Sequence, residues 1–420
     1  MARGQSLLSS EPTGILQQPV TIGHVQLRDV LLCPEERGIV NFVRNQTILE
    51  RDTRDPTTVA YPLANLGFVP NTIASLPIPG SEERLIAAGG QEAELHLSIH
   101  SSRPTGAEPR RAWMGRPRRL WQFDNVLTGS INNSVLLTSL SLTRSHESSA
   151  EPRVAVSNND CTVKFYDVNV RGARGPEGLC KRISEAGTLR IDVPVNHSSI
   201  SPDGRTLLSV GDSPHVYLHA LSGGSRITFT ELYKLTLPAF DQPPPSPFSI
   251  NAIPACFSTA FSACGTKFAV ASQEGMVVVW DVRSHKPLKV YQTGKNRPSG
   301  RRGNGGASGR LYEEVWDWGR PGSSAPGWGV RNVKFSPARN GGKELMIFTE
   351  HTSLLHVIDA RTFEQEDIVS VPTLINDPSP SSSSSSSSSR PSPQPRTPAT
   401  DTEIMPWKPG AIISKAIPIQ

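Results

Sequence analysis

The chain has 420 residues, of which 36% are hydrophobic and 19% charged, and it contains 37 Pro and 34 Gly. This length exceeds what one minimal core needs, and the Pro and Gly content is typical of a loop-rich protein without long helices. The formal net charge of +5 is concentrated in two short segments on a mildly acidic body, which argues against nucleic acid as the default partner.

Five cysteines are scattered along the chain, and none of them belongs to a CxxC pair. This usage fits a reducing compartment and offers no disulfide framework and no metal-ligand spacing. The first residues, MARGQSLLSSEPTG, lack the apolar core of a signal peptide, and no run approaches the ~20 apolar residues of a membrane span. We therefore expect an intracellular protein, cytoplasmic or nuclear, without a membrane span.

Six stretches share one pattern, in which short alternating apolar runs are separated by turn residues. In chain order they are IVNFVRNQTILERD from Ile39, RLIAAGGQEAELHLSI from Arg84, RVAVSNNDCTVKFYDV from Arg153, NHSSISPDGRTLLSVGDSPHVYLHAL from Asn196, STAFSACGTKFAVASQEGMVVVWDV from Ser258 and RNVKFSPARNGGKELMIFTEHTSLLHVIDA from Arg331. Alternation with period two between tight turns predicts β-hairpins. Hairpins that repeat every ~40–60 residues, with four strands in a unit, are typical of a β-propeller.

The predicted fold is therefore all-β, a propeller with six recognisable blades that form either a complete ring or an incomplete seven-bladed one. Blades form a ring because one four-stranded sheet cannot bury both of its faces alone. The predicted boundaries are a flexible N-terminus at 1–20, the propeller at 21–372, a disordered Ser/Pro-rich segment at 373–403 and a tail at 404–420. Two basic inserts, 101–117 and 291–328, interrupt the propeller.

Two hairpins end in an aromatic residue followed by Asp. In EGMVVVWDV these residues are Trp280 and Asp281, and a single Val follows them. In NDCTVKFYDV the same places are taken by Tyr166 and Asp167. These segments resemble the WD-repeat family, although the Gly-His pair that the family places before each repeat is missing. The resemblance implies a propeller in which Asp, Ser or Thr, His and Trp form a structural hydrogen-bond network. The residues at the positions of this blade motif are Asp160, Tyr166, Asp167, Ser272, Trp280, Asp281 and Asp359.

A second resemblance covers Lys334 to Glu364, KFSPARNGGKELMIFTEHTSLLHVIDARTFE. This stretch is similar to the segment called domain of unknown function 2415, which occurs in WD-repeat-like proteins of fungi and related eukaryotes. That segment pairs a Ser-Pro turn and an apolar strand with FTEH and DARTF. The resemblance places the stretch in a propeller and implies no activity.

Motifs of enzymes and cofactor sites are missing from the sequence, which lacks GxSxG, HExxH and GxxxxGK[ST]. The pairs His96/His100 and His215/His219 each fall on one face of a strand, where they could hold a metal or lie in the core. No third ligand follows either pair at a suitable spacing. We therefore predict no catalytic residue, cofactor, metal or small-molecule substrate. A propeller hydrolase with residues gathered in the central channel remains an alternative.

The first basic insert mixes arginines with tryptophans, in RPTGAEPRRAWMGRPRRLWQF from Arg103. Arginine beside aromatic rings can bind RNA or phosphorylated peptides, whereas the simpler interpretation is a solvated loop whose Trp121 begins a strand. In the strand order that the resemblance implies, this insert joins two strands of one blade and the second insert joins two blades, at opposite ends of the ring. The candidate partner-binding residues are Arg110, Arg111, Trp113, Arg118 and Arg119.

The Ser/Pro-rich segment contains three Ser-Pro or Thr-Pro sites, at Ser379, Ser392 and Thr397. A disordered site of this kind is accessible to proline-directed kinases, and each phosphate would add about two negative charges. The alternative interpretation is an unmodified linker.

Repeated hairpins without a catalytic constellation favour a non-enzymatic scaffold that holds other proteins on the loops of a rigid ring. The alternative is binding of RNA or a phosphopeptide through the Arg/Trp-rich insert at 103–121. The predicted partners are therefore other proteins, with nucleic acid as the less favoured class.

Overall fold

A computed structural model of the chain describes residues 7–9, 14–16, 18–24, 27, 29–34, 38–55, 57–78, 81–101, 118–139, 152–170, 182–238, 255–273, 275–293, 329–337, 343–350, 354–370 and 412–414. Within these ranges the regular elements are all β-strands. A membrane-spanning helix, long and apolar enough to cross a bilayer, is not found in this described part of the chain.

The first strand, β1, covers Gly14–Leu16. Blade 1 consists of β2 (Leu31–Leu32), β3 (Ile39–Arg44), β4 (Thr47–Asp52) and β5 (Tyr61–Asn65). Blade 2 consists of β6 (Thr72–Pro77), β7 (Glu83–Gly89), β8 (Glu94–Ser101) and β9 (Arg118–Val126). Blade 3 consists of β10 (Asn132–Thr138), β11 (Arg153–Asn158), β12 (Thr162–Val168) and β13 (Ile183–Arg190).

The second half of the ring has the same organisation. Blade 4 consists of β14 (Val195–Ile200), β15 (Thr206–Gly211), β16 (His215–Ser222) and β17 (Thr228–Thr236). Blade 5 consists of β18 (Cys256–Phe261), β19 (Lys267–Ser272), β20 (Met276–Asp281) and β21 (Pro287–Gln292). Blade 6 consists of β22 (Val330–Phe335), β23 (Leu345–Glu350), β24 (Leu354–Asp359) and β25 (Glu366–Ser370), and β26 covers Ile412–Ser414.

Each blade is an antiparallel meander, and the described residues form six such four-stranded sheets in which the strands pair in chain order. The first strands of successive blades lie against one another, so they surround the centre of the ring and the fourth strands form its rim. The predicted all-β propeller with six blades is confirmed. The additional two-stranded sheet pairs β1 with β26, and so joins residues near both ends of the sequence.

The two basic inserts leave the ring at opposite ends. The stretch 102–117 connects β8 to β9, the third and fourth strands of blade 2, whereas 294–328 connects β21 of blade 5 to β22 of blade 6. Because successive strands are antiparallel, these two kinds of connection lie at opposite ends of the strands. Both stretches are outside the described residues, as are the Ser/Pro-rich segment 373–403 and the tail apart from β26.

Apolar cores between neighbouring blades hold the ring together. Between blades 2 and 3, for example, Leu97 and Ile99 pack with Val135 and Val154. Comparable shared cores join blades 1 and 2, blades 3 and 4, blades 4 and 5, and blades 5 and 6. The inner strands of a blade are therefore apolar on both faces, and each fully buried Val or Leu contributes ~1.5–3 kcal/mol to the free energy of unfolding.

The first strands of blades 3 to 6 share a β-bulge near their start. The bulged residues are Asn133, Asn196, Phe257 and Arg331, and each contacts a neighbouring blade. Asn133 Nδ2 donates to Val195 O at 2.9 Å, and Asn196 Nδ2 donates to Cys256 O at 3.1 Å. The guanidinium of Arg331 lies 4.1 Å from the centroid of the Phe257 ring. These contacts connect blades 3 to 6 in sequence around the channel.

The seam between blades 6 and 1 differs from the other five. Among the described residues, no apolar cluster is shared by these two blades. The face of blade 6 that points away from blade 5 packs with Leu8, and the side of blade 1 that faces blade 6 packs with Val20. At the channel, Asn332 Nδ2 donates to Asp29 Oδ1 at 3.1 Å and closes the seam. The N-terminal segment therefore fills the outer part of a joint that the blades themselves close only at the centre.

Candidate functional site

Trp280 of the blade motif lies in the core between blades 4 and 5. Its side chain is fully buried and stacks on Phe268, with ring centroids 5.4 Å apart and an interplanar angle of 15°. The indole Nε1 has no hydrogen-bond partner among the described residues. Ser272 Oγ accepts instead from the backbone N–H of Met276 at 3.2 Å. Trp280 is thus held by packing, and the hydrogen bond to Ser272 that the WD-repeat resemblance implied is not formed.

Asp281 stabilises the turn that follows it. Its Oδ1 accepts from the backbone N–H and the Nε of Arg283, both at 2.9 Å, and its Oδ2 accepts from Arg283 Nη2 at 2.8 Å. These hydrogen bonds to Arg283 lower the pKa of Asp281 to about 2. Asp359 makes the equivalent backbone bond in blade 6, where its Oδ1 accepts from Arg361 N–H at 2.8 Å.

The motif residues of blade 3 also make local contacts. Asp160 accepts from the hydroxyl of Thr162 and, at 2.8 Å, from Lys164 Nζ. Asp167 Oδ1 accepts from Arg153 Nε at 2.5 Å. Tyr166 belongs to the core between blades 2 and 3, and burial raises its pKa to about 12. All three residues therefore act within the blade or its core.

A polar cluster lies at the centre of the ring, around Asp29. Asp29 Oδ2 is 3.2 Å from Lys334 Nζ of blade 6 and 3.9 Å from His197 Nε2 of blade 4. The backbone carbonyl of Asp29 accepts from Ile73 N–H of blade 2 at 2.9 Å. One residue thus connects blade 1 with three other blades. Because blade 4 is opposite blade 1, the contact with His197 spans the channel.

The chemistry of this channel cluster is determined by its hydrogen bonds. Thr259 N–H donates to His197 Nδ1 at 3.3 Å, so Nδ1 carries no proton and the neutral ring directs its Nε2–H towards Asp29. Burial lowers the pKa of His197, and this effect outweighs the nearby Asp29. Burial alone would raise the pKa of Asp29, but Lys334 and His197 outweigh burial and hold it well below its usual range.

A carboxylate, an imidazole and an amine therefore converge in the channel, as the hydrolase alternative requires. Their polar atoms already interact with one another and with Asn332 and Thr259. Thr259 is 1% exposed, so its hydroxyl is not accessible to a substrate. This arrangement joins blade 1 to blades 4 and 6 across the channel.

A second polar cluster lies within blade 2, along one face of β8. His96 Nδ1 is 2.6 Å from Asp124 Oδ1, His96 Nε2 is 3.0 Å from Ser98 Oγ, and Ser98 Oγ is 2.9 Å from His100 Nε2. A carboxylate only accepts, so His96 donates to Asp124 and accepts from Ser98, which in turn accepts from His100. Both imidazoles are thereby assigned as neutral tautomers, and the chain of bonds links β8 to β9.

Burial explains the titration of these two histidines. It lowers the pKa of His96, although the hydrogen bond to Asp124 acts in the opposite direction. Burial, with His96, Arg119 and Arg84 nearby, lowers the pKa of His100 to about 4. A metal-binding group of three or more His, Cys, Asp or Glu side chains is not present in the ranges that the structure describes. The His96/His100 pair is therefore a core hydrogen-bond network.

The outermost strand of blade 2, β9, carries two of the candidate partner-binding residues. Arg118 and Arg119 are exposed at its start. Leu120 is 44% exposed and Val126 at its end is 66% exposed. Trp121 points inward, packs against the core between blades 2 and 3, and lies 4.9 Å below the guanidinium of Arg182. We call the exposed side of Arg118–Val126 the β9 surface.

The other candidates fall outside the described residues. These are Arg110, Arg111 and Trp113 of the first insert and the phosphorylation candidates Ser379, Ser392 and Thr397.

Asp29 and His197 were missed by sequence reasoning. Asp29 precedes a two-residue strand, and His197 stands in a Ser-rich strand with no motif around it. The signal that could have found them is positional. His197, Thr72 and Ser258 each accept through their side chains from a backbone N–H of the next blade. Asp29 accepts in the same way through its carbonyl, from Ile73 of blade 2. Only an alignment of all six first strands would have placed them in one ring.

Comparison with known proteins gives two findings. Residues 329–370, which correspond to blade 6, match the family described as "Uncharacterised protein domain (DUF2415)". This confirms the segment predicted at 334–364. The chain is also similar to "Uncharacterized protein C4G3.03" of Schizosaccharomyces pombe (strain 972 / ATCC 24843), with 26% identity over 216 residues. The match covers 51% of this chain and 46% of the relative, about half of its length. The WD-repeat resemblance has no family match.

Proposed function

We propose that the protein is a non-enzymatic, intracellular protein-interaction scaffold that binds a partner through the β9 surface. The observation that carries this proposal is the exposure of β9, in which seven of nine residues are exposed on the rim of the ring. An outermost strand has one edge without a neighbour, and such an edge can add a strand from another protein.

The composition and support of β9 favour this role. Exposed Leu120 and Val126 provide apolar contact area, whereas Arg118 and Arg119 provide positive charge at one end. The position of the strand is fixed by the hydrogen bond between Asp124 and His96 of the neighbouring strand β8, and by Trp121, which packs against the core. A preorganised edge of this kind loses little conformational entropy on binding. The charge favours a partner strand that is acidic opposite Arg118 and Arg119.

Affinity purification of the full-length protein with quantitative mass spectrometry tests this proposal. The test variant is Arg118→Glu/Arg119→Glu/Leu120→Glu, and the matched control is Leu232→Glu on the outermost strand of blade 4, where Leu232 is 43% exposed. We expect the test variant to lose specific partners at least tenfold while the control retains them. Equal recovery by wild type and test variant, at equal melting temperature, would refute the β9 surface as the binding site.

Binding of RNA or a phosphopeptide through residues 103–121 is the second candidate, since exposed Arg118 and Arg119 belong to that insert. Contacts with phosphates release counterions, so affinity should fall steeply between about 50 and about 200 mM salt. Replacing Arg110, Arg111, Arg118 and Arg119 by Ala should abolish binding. RNA affinity that is flat with salt, or survives the replacement, contradicts this candidate.

A further inference from the structure

The face of blade 6 that points away from blade 5 is apolar. The N-terminal segment that covers it belongs to no blade. The side chains of this face are Leu345, Ile347, Leu355, Val357 and Val369, and Leu7 and Leu8 pack against them. The alternate residues Met346, Phe348 and Ile358 point the other way, into the core shared with blade 5. Leu8 is 8% exposed, so it is buried as deeply as a core residue.

The carboxylate of Asp367 lies beside this apolar face. Asp367 follows Ile347 and Val357 in one cross-strand row. Its Oδ2 accepts from Leu7 N–H at 2.6 Å and from Leu8 N–H at 3.3 Å. A carboxylate among apolar side chains requires hydrogen-bond donors. Two consecutive backbone amides can converge on one oxygen where the chain bends, as it does at Leu7 and Leu8.

We propose that this face is a docking site for short bent segments that carry two adjacent leucines, and that Leu7 and Leu8 occupy it in cis. Among the described residues, the contacts at this site involve two aliphatic side chains and two backbone amides. An exposed Leu-Leu segment of another protein satisfies the same contacts. Blade 6 is also the part of the chain that matches the uncharacterised family model.

The structure of the seam explains why the site takes an added segment. Blade 1 shares no apolar cluster with blade 6 among the described residues, so it does not cover this face itself. In the described part of this segment, Leu7 and Leu8 contact the face, and local opening can detach them without unfolding a blade. A partner segment then competes against the effective concentration of the tethered leucines. The site is separate from the β9 surface and does not depend on it.

Fluorescence anisotropy with a labelled nine-residue peptide, GQSLLSSEP (residues 4–12), tests the proposal on the full-length protein. In the variant Leu7→Ser/Leu8→Ser the cis segment no longer competes, so we expect at least tenfold tighter binding than to wild type. The same peptide with both leucines replaced by Ser should not bind. A peptide in which only the two leucines are kept, between Ala and Ser residues, should bind within about threefold of the first.

Adding Asp367→Ala to the double variant should weaken peptide binding at least tenfold. Hydrogen exchange of wild type gives an independent readout, because excess peptide should remove protection from the Leu7 and Leu8 amides without exposing blade 6. Equal peptide affinity for wild type and the double variant would overturn the proposal. So would unchanged protection of Leu7 and Leu8 at saturating peptide, a result that does not depend on any variant folding.

Discussion

Three buried histidines of this protein have pKa values shifted in different directions because their neighbours differ. His96 and His100 share a chain of hydrogen bonds that needs neutral rings, and burial lowers the pKa of both. His356 lies between Glu350 and Glu366, whose oxygens are 3.3 and 2.8 Å from its two ring nitrogens. Burial alone would lower the pKa of His356, but the two glutamates outweigh it and raise the pKa. His356 therefore stabilises blade 6 below its folded pKa and contributes less as pH rises.

His100 should make the protein sensitive to mild acid. Its pKa falls from the usual 6.5 to about 4 on folding, so between these values only the unfolded chain takes up the proton and stability decreases as pH falls. One pKa unit corresponds to about 1.4 kcal/mol, so His100 should account for a loss of about 2 kcal/mol between about pH 7 and about pH 5. Urea unfolding of wild type and His100→Gln at both pH values measures this difference.

His285→Gln is the matched control, because His285 is exposed at a turn and outside the network. The control should retain the full acid sensitivity of wild type, whereas His100→Gln should lose the part that His100 contributes, about 2 kcal/mol. If all three proteins lose the same free energy of unfolding on acidification, His100 does not carry the effect.

The elements show how strand sequence and ring geometry combine. Short apolar runs between turn residues predicted the hairpins, because a strand buried on both faces has to be apolar along its length. The β-bulges in the first strands had no such signal, although they direct Asn133 and Asn196 into the next blade. The sequence does not show the role of an asparagine in such a strand, since the carbonyl that it binds belongs to a strand about 60 residues later in the chain.

Asn196→Ala should destabilise the joint between blades 4 and 5. Its buried Nδ2 donates to Cys256 O and, at 2.8 Å, to Asp212 Oδ1. Removing a buried partner leaves these acceptors without it, which costs about 1–3 kcal/mol. Chemical denaturation of Asn196→Ala against Asn125→Ala, an exposed asparagine of β9, measures the difference. Equal midpoints for the two variants would show that the bulge contact adds nothing.

Closure of the whole ring depends on residues far apart in the sequence. Asp29 connects blade 1 to Asn332 and Lys334 of blade 6 and faces His197 of blade 4. The outer part of the same seam is filled by the N-terminal segment. In the described part of the chain, five seams therefore contain shared apolar cores, whereas the sixth is joined by Asp29 and by the N-terminal segment.

Asp29→Ala should lower the free energy of unfolding by about 1–3 kcal/mol. Breaking a buried ion pair costs more, but Lys334 is half exposed and solvent screens part of the interaction. The depressed pKa of Asp29 adds a pH dependence: its stabilisation is full above the unfolded pKa and is lost as pH falls through the folded one. Urea unfolding from neutral pH to below about pH 3.8 should show this loss in wild type and not in Asp29→Asn.

Asp55→Ala provides the control for this change, since the side chain of Asp55 accepts hydrogen bonds from Thr57 within an exposed turn. A destabilisation by Asp29→Ala no larger than that of Asp55→Ala would mean that the channel contact does not close the ring.

The sequence by itself determined the all-β class, the six hairpins and the segment at blade 6, because strand periodicity and turn residues are local properties. It also identified Arg118 and Arg119 as charged candidates, but it did not reveal that they begin an exposed rim strand. Only the tertiary structure decided that Asp29 meets His197 across the channel, and that Leu7 and Leu8 cover blade 6. Those contacts join residues 168 and about 360 positions apart in the sequence. A local sequence pattern cannot predict them, because these residues meet only when the chain folds.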